Sequence, residues 1–189
     1  MDNYGTLEHL KHCLIKEVID STNKPFSWFR VIRRVWLYPE RRFNFWWRLS
    51  NYFYYNNKHN LANFIHRKIR FKYGCDISPS AKIEKGLTIG HYVGVVITGR
   101  AIIGENFNIR QNTTIGIKSV GNDGHIYIGN NVTVGANSCI IGNELHIGDN
   151  VMIGAMSFID KDIPPDRVVF TPKEKNTIIE SHIKNNFII

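Results

Sequence analysis

The sequence predicts a mainly β fold, a solenoid of stacked parallel strands behind an N-terminal helical segment, on three observations. From Ile77 onward branched aliphatics recur every six residues: Ile77, Ile83, Ile89; Ile97, Ile103, Ile109, Ile115; Ile128, Val134, Ile140; Ile147, Ile153, Ile159. Glycine follows the aliphatic at Gly90, Gly104, Gly116, Gly129, Gly135, Gly148 and Gly154. Four places after the aliphatic stands a small or branched residue: Ala81, Val93, Ala101, Thr113, Ser119, Val132, Ser138, Val151 or Ser157. Six residues turn a helix through about 600°, so an apolar helical face would wander. The step suits one short strand per six residues, with the aliphatic pointing inward beside the small residue. Gly or Asn (Asn106, Asn130, Asn131, Asn150) then takes the corners, where φ > 0 is needed. Stacked coils pair their backbones with neighbouring coils. A β-sandwich has no reason to hold such a step.

In chain order, residues 1–73 form an N-terminal helical segment, 74–165 the β-helix and 166–189 a tail. Within the first part, residues 1–23 read as an amphipathic helix. Leu7, Leu10, Leu14 and Val18 make its stripe, Ile15 and Ile19 widen it, and Pro25 marks its end. Residues 25–73 are aromatic and basic together, holding all four Trp and 16 of the 23 aromatic residues. Their pieces suit helices, but the crowded aromatics hide the period. In the repeats the step becomes eight, thirteen and seven residues between runs, so each junction carries an insertion. The longest falls at about 117–126.

Charge is placed unevenly. Lys24 to Lys72 holds 12 Lys+Arg and one acid, Glu40, a balance of +11, while the rest of the chain balances at −3 within the total of +8. The basic character belongs to one segment, so nucleic-acid affinity does not follow from net charge, and no RNP, KH or helix-turn-helix pattern is present. Three readings of this segment are open: a helical cap on the end of the β-helix, a contact with the inner membrane face, or a hold on an anionic glycan. No stretch reaches the length of a membrane span. Met1-Asp2-Asn3-Tyr4 lacks the pattern of a secretory signal. Three scattered cysteines, Cys13, Cys75 and Cys139, argue against a disulfide framework and for a reducing cytoplasm.

The repeats resemble the hexapeptide-repeat acyltransferases, and within them the serine acetyltransferase branch. Asp76-Ile77-Ser78-Pro79-Ser80-Ala81-Lys82-Ile83 is similar to that branch's D-I-H-P-x-A-x-I opening. Gly86 to Ile97 resembles its G-x-x-x-D-H-x-x-G-I-V-I segment, and the insertion around Gly121-Asn122-Asp123-Gly124-His125 stands where that branch has a loop ending in a second His. The resemblance covers about residues 74–165. It implies a left-handed parallel β-helix, acetyl-CoA as co-substrate with no metal, and a homotrimer with sites between subunits, with dimers of trimers as a further expectation.

Acetyl transfer from a thioester needs a hydroxyl made nucleophilic and an oxyanion stabilised. A neutral imidazole can accept the hydroxyl proton. The resemblance therefore points to His91 as base, Asp76 as the group orienting it, and His125 of a neighbouring subunit as the ligand of acceptor or oxyanion. It places the pantetheine arm along Gly135, Ala136, Gly154 and Ala155, and the CoA phosphates near Lys161 and Lys173. The remaining repeat histidine, His146, lies at an outward position, and no close His pair suggests zinc.

Two departures shape the expected acceptor. Serine enzymes carry Asp immediately before the first His, where it helps bind the amino acid; here that residue is Gly90. Their N-terminal domain is also longer. Both features look more like relatives that acetylate bacterial capsule, exopolysaccharide or O-antigen. The leading expectation is thus acetylation of a sugar hydroxyl on a glycan, in the cytoplasm or peripherally at the inner membrane face. Serine O-acetylation and a non-enzymatic scaffold are the alternatives. The G-x-P-A element common after the repeats is replaced by Phe170-Thr171-Pro172-Lys173.

Overall fold

The computed structural model describes residues 4–20, 25–119, 121 and 123–172. Among the described residues four α-helices come first: α1 (Leu7–Leu14), α2 (Trp28–Leu37), α3 (Arg42–Tyr55) and α4 (His59–Tyr73). Thr6 caps α1 by accepting a hydrogen bond from the His9 N–H, and one wide turn, Ile15–Ile19, extends the helix. The expected stripe is buried at Leu10, Leu14, Val18 and Ile19, whereas Leu7 is exposed.

Among the described residues fourteen two- to four-residue strands follow, stacked in three parallel sheets. Face A holds β1 (Asp76–Ile77), β4 (Val96–Ile97), β7 (Thr114–Ile117), β10 (Cys139–Gly142) and β13 (Phe158–Ile159). Face B holds β2 (Lys82–Ile83), β5 (Ala101–Ile103), β8 (Ile126–Ile128) and β11 (Leu145–Ile147). Face C holds β3 (Thr88–Ile89), β6 (Asn108–Ile109), β9 (Thr133–Val134), β12 (Met152–Ile153) and β14 (Val168–Val169). The chain visits A, B and C in turn, as a left-handed β-helix does. β14 pairs with β12, so the stack continues past the boundary expected at 165.

All thirteen periodic aliphatics, Ile77 to Ile159, are buried along the axis. The companion positions Ala81, Ala101, Thr113, Val132, Ser138, Val151 and Ser157 are buried too. Val93 and Ser119 are not, a correction with a clear cause. Each follows the aliphatic at a junction where the step exceeds six. At each such junction an inward apolar position is taken further along the chain, by Val95 and by Ile126. The buried hydroxyls are satisfied across coils: Thr113 donates to the Gly135 carbonyl at 3.1 Å and Ser138 to that of Gly154 at 3.0 Å.

Corners are built from left-handed residues in register. One column runs Gly94, Asn112, Asn137 and Met156, all with φ between 54° and 73°. A second runs Gly86, Asn106, Asn131, Asn150 and Asp166. Its side chains form a directional ladder. Lys16 donates to Asn106, Asn106 to Asn131 at 2.8 Å, Asn131 to Asn150 at 3.0 Å, and Asn150 to the Asp166 carboxylate at 2.8 Å. A cation at one end and a carboxylate at the other suit the direction of those amide dipoles.

The first coil has no coil before it, so its carbonyls need other partners. α3 supplies them from one face. Asn44 donates to the Leu87 carbonyl, Trp47 to Ile77, Asn51 to Pro79 and Ala81, and Tyr55 to Ser80, all at 2.7–3.0 Å. Arg48 donates to Ile83 at 2.6 Å and Glu84 at 2.8 Å, and it pairs with Glu17 at 2.6 and 2.9 Å. Glu17 in turn accepts from the Gly86 and Leu87 N–H groups. The helical segment is thus a cap on the end of the β-helix. It buries Phe43 and Trp47 but leaves Trp28, Phe29, Trp36 and Trp46 exposed, so only part of the aromatic content serves the cap.

Candidate active site

The eight-residue step between Ile89 and Ile97 creates a bulged corner. Gly90 aligns with Arg110, and Gly94 with Asn112. The lower turn therefore carries two more residues than the turn above it. Tyr92 is anchored, with its ring 5.1 Å from Phe43 and 5.5 Å from Tyr73 and its hydroxyl donating to the Glu40 carbonyl. His91 beside it is exposed on the bulge.

Stacked on this turn are 110–112, 135–137 and 154–156. His91, Gly135, Ala136, Gly154 and Ala155 thus lie along one edge of the β-helix, where face C meets face A. Ala155 is exposed and Ala136 half-buried. Gly135 has a packing reason as well, since a Cβ there would stand 2.7 Å from the Ala155 Cα. Gln111 lies between the turns of His91 and Ala136. Its side-chain carbonyl is buried without a hydrogen-bond partner among the described residues, and sequence reasoning gave it no role.

The expected Asp76–His91 contact is replaced by another. Asp76 accepts from His66 Nε2 at 2.9 Å and pairs with Arg70 at 3.3 Å. Among the described residues no hydrogen bond joins it to His91. The reason is local: α4 runs directly into β1, and its residues His66 and Arg70, one turn apart, flank the outward-facing Asp76. Burial pushes the His66 imidazole below its ordinary pKa, against the pull of Asp76. Sequence reasoning passed over His66. The available signal was its i, i+4 spacing with Arg70 just upstream of Asp76.

His125 sits on a different corner, where the insertion crosses from face A to face B. It lines a groove of about 540 Å³ with Tyr54, Tyr55, Ser80 and Arg100. Arg100 pairs with Asp123 at 3.0 Å, and the His125 ring is 5.9 Å from Tyr127, which stacks on the exposed His146 at 4.6 Å. Face A separates His125 from His91 within one chain. Lys161 lies on the same A-to-B corner, because the turn after β13 leads to face B, and so stands on a different edge from Ala136 and Ala155. Lys173 lies outside the described residues. Among the described residues no group of three His, Cys, Asp or Glu is arranged to hold a metal.

No protein-family model matches the chain. Serine acetyltransferase 5 of Arabidopsis thaliana is 36% identical over 69 residues, which is 36% of this chain and 22% of that protein. Other curated serine acetyltransferases match over similar lengths, so the matched region spans about a quarter to a third of the bacterial relatives. Among solved structures, soybean serine acetyltransferase complexed with serine superimposes with a TM-score of 0.74 and 26% identity, over 87% of this chain and 68% of that one. Serine acetyltransferase isoform 3 of Entamoeba histolytica, complexed with cysteine, gives 0.73 and 28% over 92% and 61%. The chain therefore shares the left-handed β-helix fold of the serine acetyltransferases and is similar in sequence to them over about 70 residues.

Proposed function

We propose that this chain is an acetyl-CoA-dependent O-acetyltransferase with His91 as general base and L-serine as acceptor. The observation that supports it most is the single edge that aligns an exposed histidine on a bulged corner with the small residues Ala136 and Ala155 above it. His91 takes the proton of the acceptor hydroxyl as its oxygen attacks the thioester carbonyl. The tetrahedral oxyanion collapses, the C–S bond breaks, and the imidazolium returns the proton to the departing CoA thiolate. Because His91 and His125 stand on different corners, a site using both takes His125 from another copy, and a closed ring of three copies supplies three equal sites. Similarity to serine acetyltransferases, one of them complexed with serine, favours serine over the sugar hydroxyl that the sequence first suggests.

A sugar hydroxyl is the second reading, and Gly90 favours it. A Cβ there would meet nothing closer than the Arg110 Cγ at 3.7 Å, so packing does not force a glycine in place of a carboxylate. The test is thiol release from acetyl-CoA with L-serine and with a panel of capsular and O-antigen glycans, in the wild type and in Gly90→Asp. The expected result is turnover with serine, and a KM for serine about ten-fold lower in the variant, the size of one charge-assisted hydrogen bond. Turnover with a glycan alone would establish the second reading. No acetyl-CoA binding at all would leave a scaffold.

A further inference from the structure

The helix α2 is amphipathic in an unusual sense: one face is held by the protein, and most of its apolar residues are not. Val31 is buried and Val35 half-buried against the cluster of Leu10, Leu14, Val18 and Ile19. On the adjoining sector Phe29, Ile32 and Trp36 are 78%, 62% and 75% exposed, with Trp28 beside them. The helix's three arginines, Arg30, Arg33 and Arg34, occupy the opposite side of its wheel. The orientation is fixed. Arg42 donates to the Val35 and Trp36 carbonyls at 2.9 Å, and Arg34 lies 5.1 Å over the Tyr38 ring.

We infer that this face of α2 docks in the plane of an anionic lipid bilayer. Aromatic and branched residues on one side with arginine on the other are the pattern of an interfacial helix, and tryptophan favours that depth. Charge decides between a bilayer and a second copy of the chain. α2 carries Arg30, Arg33 and Arg34 and no acid, so pairing two such faces would bring like charges together, whereas an anionic surface complements them. No described helix is long and apolar enough to cross a membrane, so the contact is along the surface.

Flotation of the full chain with phosphatidylcholine vesicles containing about a third phosphatidylglycerol tests this, against pure phosphatidylcholine. The expected result is binding to the anionic vesicles with a blue shift of tryptophan emission, weakened by salt. Arg33→Glu lowers the affinity about five-fold or more, and the double change Phe29→Ser with Trp36→Ser about ten-fold or more. Both exposed positions leave the core untouched, which a thermal melt verifies. Absence of vesicle binding, or equal binding by the double variant, overturns the inference. Concentration-dependent self-association that the double variant abolishes, without vesicle binding, assigns the face to a second copy and overturns it too.

Discussion

Replacing His91 by alanine is expected to lower kcat for acetyl transfer about 10²–10⁴-fold, the usual contribution of a positioned general base. The melting temperature and the KM for acetyl-CoA should hold. The side chain is exposed on a bulged corner and has no hydrogen-bond partner among the described residues, so its removal costs the fold nothing that the structure shows. Steady-state thiol release together with a thermal melt checks this. Activity within about three-fold of wild type would remove His91 from the chemistry.

The largest expected loss of stability follows Arg48→Ala. The Arg48 and Glu17 side chains are each 1% exposed, and they join α3, the wide turn that follows α1 and the first coil. Removing one partner of a buried pair costs about 3–5 kcal/mol, or a fall in melting temperature of roughly 10 °C for a chain this size. Apolar replacement of both partners, Arg48→Met with Glu17→Leu, should not recover that loss. The Ile83 and Glu84 carbonyls and the Gly86 and Leu87 N–H groups would all lose the side chains that satisfy them. Recovery to wild-type stability in the double variant would show that those backbone groups find other partners.

The axial core was legible in the sequence because a six-residue step leaves each aliphatic on the axis. The same rule failed at Val93 and Ser119, since extra residues at a corner shift the phase and the period alone cannot say where they bulge. α3 was hidden for a different reason. Its working face, Asn44, Trp47, Arg48, Asn51 and Tyr55, keeps helical spacing but is defined by hydrogen-bond donors rather than by apolarity. A search for hydrophobic periodicity does not see it. Spacing and resemblance named His91, Gly135, Ala136, Gly154 and Ala155, and the sheet order puts them on one edge. The Asp76–His66 pair was not, because it depends on how α4 enters β1, and Gln111 carries no signal apart from its buried carbonyl. The separation of His91 from His125 follows from which corner each insertion occupies, a fact of coil phase that only the sheet order reveals.

The central claim, an acetyl-transfer site built from two copies of the chain, is tested most directly by mixing. His91→Ala and His125→Ala chains, each nearly inactive alone, are unfolded together, refolded and assayed for thiol release from acetyl-CoA. In a random closed ring about a quarter of the sites join an intact His91 to an intact His125 of the neighbour. The account predicts that activity returns to about that fraction of wild type. A mixture no more active than its components would contradict it, placing both histidines in one chain's site or leaving one of them out of the reaction.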